Sequence, residues 1–397
     1  MKLSEANRLR LLYFLVFCCT ASWLPIFADY LKGRGLNGIQ IGIILSITPC
    51  MMFLVQPFYG MVADRLGYKK CLLISSVFAS VGYAAYLQEG SFAYLFLVTV
   101  FMSLFYNTIQ PLLDSLSLTL AQRDPRFSYG SLRIAGAAGW AFTGIVVGYY
   151  IDAIDTTVIF LFSSVSLLLT FIFAFSLKGD QDRSVRAEAL AFKNIRNVFA
   201  NKVFMLLLLA VFLVSVGATT IWNFYSIYMK ENGASASLVG FGISFQGLCE
   251  LPFFYFSARI IARLGIKTTL LVTFFATALR LFLYSVVSDP KGAVFIEVLH
   301  GVSWSLFWVV CVESTNSLVQ ENWRATGQSL LYAAYFGIGA IVGNFWTGYL
   351  YDAELKISEI FLLNSGIVAM VGLSMWYFLK DKDLNKKSVM KPEAGLP

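Results

Sequence analysis

The sequence predicts an all-α membrane protein: twelve transmembrane helices arranged as two six-helix, pseudo-repeated bundles. Three observations carry that expectation. Of 397 residues, 58% are apolar and only 13% are charged, about half the charged fraction of a water-soluble domain. Apolar stretches of about 20 residues, enough to cross roughly 30 Å of hydrocarbon, recur along the whole chain. Motifs of the first half also return in the second at an offset of 198 to 200 residues. This composition excludes a cytosolic enzyme, a disordered regulator and a nucleic-acid binder.

The spans fall at 10–31, 38–62, 70–88, 92–121, 129–151, 157–177, 203–229, 236–262, 267–287, 291–319, 325–350 and 356–379. The first has a basic start (Lys2, Arg8, Arg10) like a signal peptide. Its apolar run is too long for one, and no small-residue cleavage site precedes the Asp29–Arg34 loop, so it is expected to remain as an uncleaved span. Of the 30 Lys and Arg residues, 23 lie on the side of the two termini and 5 on the other. That bias places both termini in the cytoplasm and accounts for the net charge of +7 without a nucleic-acid partner.

The domain organisation follows: an N-terminal bundle at 1–177, a cytoplasmic linker at 178–202, a C-terminal bundle at 203–380 and a cytoplasmic tail at 381–397. Within the linker, Arg186–Ala200 reads either as a basic amphipathic helix on the inner leaflet or as a tether. Cys18, Cys19, Cys50, Cys71, Cys249 and Cys311 sit in or beside apolar runs without paired spacing. With a single histidine, His300, they offer no metal site, and no cofactor is expected.

Two internal repeats stand out. The segment Gly60-Met-Val-Ala-Asp64-Arg65-Leu-Gly67-Tyr-Lys69-Lys70 is echoed by Ala258-Arg-Ile-Ile-Ala-Arg263-Leu-Gly265-Ile-Lys267. The end of span five, Gly148-Tyr-Tyr-Ile-Asp152, is echoed by Gly348-Tyr-Leu-Tyr-Asp352 at the end of span eleven. Parallel repeats of this kind place a substrate site near the bilayer midplane, with the two halves rocking around it.

The Gly60–Lys70 loop resembles the signature of the major facilitator superfamily, G-x-x-x-D-R-x-G-x-[KR]-[KR]. The resemblance implies that superfamily's fold and a gating role for Gly60, Asp64, Arg65, Gly67, Lys69 and Lys70. Gly60 would let helices pack closely, Gly67 would allow the reversal, and the charges would form a latch that breaks as the halves rock. Ala262 replaces the aspartate in the second copy. Tyr129-Gly130-Ser-Leu-Arg133-Ile-Ala-Gly136-Ala-Ala-Gly139-Trp140-Ala141 resembles the F-G-x-x-R-x-x-G-x-x-G-W-A stretch of lactose-permease-type oligosaccharide:proton symporters, ground shared with nucleoside and phenylpropionate transporters. Pro111-Leu-Leu-Asp114 resembles the P-x-x-E of the same permeases. By this likeness Asp114 and Arg133 grip substrate hydroxyls and Trp140 stacks on a sugar ring, while Arg280 and His300 stand at the separation of the permeases' arginine–histidine pair. The chain departs from them at Ser303, where they carry a coupling glutamate, and at Glu250, displaced by about one turn from their helix-eight carboxylate.

The residues support a similar reading on their own. Asp114, Arg133, Glu250, Arg280, Glu297, His300 and Glu313 lie deep in apolar spans, where an isolated charge costs at least about 2.5–3.5 kcal/mol and a functional role is the default. At about 1.5 Å per residue, Asp114 and Arg133 fall in one layer near the inner ends of spans four and five and could pair. Asn107, Gln110 and Asp114 recur at helical spacing and give span four a polar stripe, so they are expected to bind substrate. Arg280, Glu297 and His300 fall in a second layer, suited to a charge relay. Glu250, at mid-span, would balance desolvation against a nearby arginine, as proton carriage requires. On a uniform helix at about 100° per residue, Glu313 points away from the face of His300 and reads as structural or gating. Trp23 and Asn223 are further candidates, and the glycines of spans five and eleven read as close helix contacts.

The expected function is secondary active transport, a proton-coupled import of a small polar solute (a sugar, oligosaccharide or nucleoside) by alternating access. The alternatives are import of an aromatic carboxylic acid and proton-antiport export, although Gly136–Gly148 lacks the proline of the antiporter motif. Sodium is a second possible driving ion. A sensor on a transporter scaffold lacks a signalling domain, and no nucleophile–base set or nucleotide-binding loop supports an enzyme. The protein is expected as a monomer in a bacterial inner membrane, with solute, protons and the lipid bilayer as its partners.

Overall fold

The computed structural model describes residues 4–124, 126–177, 201–320, 323–380 and 384. The amphipathic-helix segment of the linker and all of the tail but Leu384 therefore lie outside the described residues. Among those described, the chain is helical throughout and holds no strand. Span one is Glu5–Trp23, continued by Phe27–Gly33. The break falls around Pro25, which has no N–H to give to the helical ladder, although Leu24 before it keeps helical angles (φ −55°, ψ −48°). Spans two to six are Gly38–Leu66, Tyr68–Ala85, Phe92–Arg123, Tyr129–Ala153 and Val158–Ala174. Four of the six starts are legible chemically: Ser4, Asn37, Ser91 and Ser128 cap spans one, two, four and five with their side-chain oxygens, satisfying first-turn N–H groups that lack helical partners.

Spans seven to nine are Lys202–Glu231, Ala236–Leu264 and Ile266–Val286. Span ten is irregular, running Pro290–Ile296, then a 3₁₀ turn Glu297–Leu299, a π turn Gly301–Leu306 and finally Phe307–Leu318. Span eleven likewise inserts a π turn, Ala333–Gly339, between Arg324–Tyr332 and Ala340–Asp352. Span twelve is Ile357–Phe378. Among the described residues, ten helices are long and apolar enough to cross a membrane. Span six is a shorter apolar helix of 17 residues, and the 18 residues of span three include Lys69 and Lys70.

The described residues form two compact units. The first joins those up to Leu177 with Trp222–Leu248 and Asn344–Ile357; the second holds those from Asn201 to Ile221, Cys249–Gly343 and those from Ser358 onward. In the first unit, span one packs against spans five and six, span three against four and six, and span two against four. Rings seal the middle of this packing: Phe160 lies 4.3 Å from Tyr86 and 4.6 Å from Tyr30, centroid to centroid. In the second unit, span nine packs on ten and ten on eleven. There Trp304 and Trp308 interleave with Tyr335 and Phe336.

Candidate functional site

In the first unit, span five lies directly on span one because Gly139 has no side chain: a Cβ there would stand 2.4 Å from the carbonyl oxygen of Phe14. This close crossing sets Arg133 beside the middle of span one. Its guanidinium donates to the hydroxyl of Tyr129 at 2.8 Å and lies 5.7 Å from the centre of that ring and 6.0 Å from Phe17. Asp114 is half-buried and accepts from the hydroxyl of Tyr13 at 2.7 Å. The two charges share this layer, but the direct pairing that their depth allowed is replaced by two tyrosine partners. Each charge is thereby oriented while keeping hydrogen-bonding capacity for a solute, since a carboxylate accepts about four bonds and a guanidinium donates five.

The rest of the stripe on span four is mixed. Asn107 donates to the Thr48 carbonyl at 3.0 Å and so ties spans two and four together, while Gln110 is half-buried. Trp140 is half-buried and lies against span eight, its ring 3.3 Å from where a Cβ of Gly247 would stand. Trp23 is buried among Phe27, Tyr83 and Tyr106, which makes it core. Asn223 donates to Asn344 at 2.7 Å.

The second unit holds one connected chain of polar groups. Arg280 and Glu297 are 3% and 1% exposed and form an ion pair. Tyr284, one turn from Arg280 on span nine, donates to the other oxygen of Glu297 at 2.5 Å. Arg280 also reaches His300 Nδ1 at 2.7 Å and the Ser303 hydroxyl at 3.5 Å, so the serine at the departure point still touches the arginine. A guanidinium has no lone pair to offer. His300 Nδ1 must therefore accept, and the ring hydrogen sits on Nε2, which points at Glu250 Oε1 at 2.9 Å. His300 is fully buried, whereas the Glu250 side chain is 26% exposed. The structure brings Arg280, Glu297 and His300, which the sequence set at one depth, together with Glu250 of span eight, which the sequence had read separately and which forms the accessible end.

Span ten is built for this contact. A Cβ on Gly301 would stand 2.4 Å from the Cys249 carbonyl oxygen, so only glycine lets span eight come close enough for Glu250 to reach His300. The π turn begins at the same residue, and such wide turns concentrate at functional positions in helices.

A family profile described as MFS_1 like family matches residues 6–362. The chain belongs to the MFS_1-like family. Across 376 residues it is 28% identical to the maltose permease of Geobacillus stearothermophilus, with 94% of each chain covered. It is 27% identical to the sucrose permease of Escherichia coli, covering 93% of this chain and 92% of that one. The crystal structure of the nucleoside transporter NupG superposes with a TM-score of 0.86 at 18% identity, covering 95% of this chain and 100% of the other. The protein is therefore a major facilitator transporter of the lactose-permease-like branch and not an enzyme.

Within this transporter the signature loop is partly as expected. Gly67 makes the reversal with φ +96°, a conformation that suits glycine. Lys69 donates to the carbonyls of Phe175 and Leu177 at 2.9 and 2.5 Å, neutralising the end of span six. Arg65 and Lys70 are exposed, and the side chain of Asp64 lies outside the described residues. Gly60 differs from expectation: among the described residues nothing lies within 4 Å of where its Cβ would be, so none of them packs closely against it. The angular argument for Glu313 also changes, because the π turn breaks the uniform 100° register between it and His300. Glu313 is half-buried without a polar partner among the described residues, on the span where Asn316 accepts from Gln328 at 3.0 Å.

Tyr13, Tyr129 and Tyr284 are the site residues that sequence reasoning left unassigned. Tyr284 was within reach, since it follows Arg280 by four residues and shares its helix face. Tyr129 stands in the span-five motif itself, also four residues from its arginine. Nothing local marks Tyr13.

Proposed function

We propose that this transporter imports a sugar or small oligosaccharide together with protons by alternating access, with both termini in the cytoplasm of a bacterial inner membrane and the protein acting as a monomer. Asp114 and Arg133 bind solute hydroxyls, helped by Asn107, Gln110 and the ring of Trp140. The Gly60–Lys70 loop and Glu313 take part in gating. The observation that carries the coupling half is the chain from Glu250 through His300 and Arg280 to Glu297. Glu297 is held on both oxygens by Arg280 and Tyr284 and serves as a fixed counter-ion. Glu250 binds one donor through one oxygen and keeps partial exposure, so it can take and release a proton. His300 joins that carboxylate to the arginine, so that the protonation of Glu250 is felt throughout the cluster.

The sugar assignment draws on the maltose and sucrose permeases to which the chain is similar and on a carboxylate standing beside the arginine, which would repel an anionic substrate. Binding of maltose and sucrose to purified protein tests it. Asp114→Asn and Arg133→Ala should each abolish binding in a folded protein, and unchanged affinity in both would remove the site assignment.

A further inference from the structure

The repeated ends of spans five and eleven have a use beyond common ancestry. Asp352, the last residue of span eleven, accepts from the backbone N–H groups of Gly38 and Ile39 at 2.5 and 2.9 Å. These are the first residues of span two. Asp152, near the end of span five, accepts from the N–H groups of Ala236 and Ser237, both at 2.8 Å, and from the Ser237 hydroxyl. These open span eight. One turn before each aspartate a glycine lets the helices touch: a Cβ on Gly348 would lie 2.2 Å from the Gly38 oxygen, and one on Gly148 would lie 2.7 Å from the Ala236 oxygen.

The same end of the molecule carries a reciprocal pair of ion pairs between spans one and seven. Lys32 meets Glu231 at 2.9 Å, and Lys230 meets Asp29 at 2.7 Å. Tyr351 adds its hydroxyl to Glu231 at 2.8 Å and its ring beneath Lys32 at 5.2 Å. All these residues belong to the first compact unit.

First-turn N–H groups lack partners within their own helix and carry the positive end of its dipole. A cap usually comes from the residue just before the helix, and span two has one of its own in Asn37. Here an additional carboxylate arrives from a helix of the other half of the sequence. Such a cap breaks only when the two helices part, and water can then replace it, so it is reversible by construction. We infer that Asp152 and Asp352 are paired bolts of a duplicated latch, in which each half of the chain caps a helix of the other and both caps release before this end opens. Under the proposed orientation this is the outer end. The inference rests on the alternating-access reading and adds to it the residues that hold the outside shut.

The test is a distance measurement by pulsed electron resonance, with spin labels on the exposed positions Gln88 and Ala353 of the full-length protein in nanodiscs, without solute. Loss of a helix cap shifts an equilibrium about fivefold. Asp152→Ala and Asp352→Ala should each raise a longer-distance component by about that factor, and the double variant by about 25-fold if the two act independently. A folded double variant with the parent's distribution would overturn the latch. Should it fail to fold, Asp152→Asn and Asp352→Asn, which keep an acceptor oxygen and lose the charge, must still lengthen the distribution; no change in either overturns the proposal equally. Because no solute is present, the outcome separates from the carrier reading. Normal uptake with an unchanged distribution removes the latch alone, and a lengthened distribution with no uptake of any solute removes the carrier reading alone.

Discussion

Gly301→Ala touches none of the charged residues, yet it should uncouple the transporter. The added methyl would start 2.4 Å from the Cys249 carbonyl oxygen and 2.1 Å from Phe253 Cδ2. The phenyl ring can turn aside, but the carbonyl belongs to the backbone of span eight. Relief to an ordinary contact near 3.4 Å requires spans eight and ten to separate by about 1 Å. The His300–Glu250 hydrogen bond, 2.9 Å long, would then stretch to about 3.9 Å, beyond useful range. A hydrogen bond to a charged group contributes about 1.5–3 kcal/mol, or roughly ten- to a hundredfold in an equilibrium. In proteoliposomes, accumulation driven by an imposed proton gradient should fall at least tenfold, while solute exchange, which needs no net proton movement, should stay near the parental rate. A monodisperse Gly301→Ala protein with parental accumulation would refute the argument that this crossing sets the coupling contact.

Glu250→Gln should likewise spare exchange and stop uphill uptake, measured in the same vesicles with labelled solute. Tyr13→Phe removes the hydrogen bond that orients Asp114 and should weaken solute affinity by about ten- to a hundredfold in a binding titration, with the melting temperature little changed. Arg280→Met leaves Glu297 buried without its counter-ion and should cost about 3–5 kcal/mol of stability. Arg280→Met with Glu297→Met should recover most of it, read as melting temperature in detergent.

The spans were legible because an apolar run of membrane length admits few other structures, and the serine and asparagine caps marked where several of them begin. The inventory of buried charge was legible for the same reason: Arg280, Glu297 and His300 are conspicuous in apolar sequence, and helix rise alone put them at one depth. Other features were hidden because they depend on contacts between distant segments. No local preference distinguishes the π turn at Gly301–Leu306 from α-helix, and it forms where span eight presses in. Asp114 and Arg133 were placed in the right layer, but the tyrosines that hold them apart come partly from span one, which no spacing rule reaches. The aspartates at the ends of spans five and eleven were visible as a repeat, and their role is apparent only beside the helix starts they cap. Gly60 shows the opposite failure, a motif position whose expected close contact is absent among the described residues.

The most direct test of coupled transport is a pH electrode in a weakly buffered suspension of vesicles holding the purified protein right side out. Maltose, sucrose and a nucleoside are added in turn without any imposed gradient. Alkalinisation of the medium on addition of one sugar, abolished by Glu250→Gln and by a protonophore, is the predicted result. Entry of labelled sugar with no accompanying pH change would contradict the account.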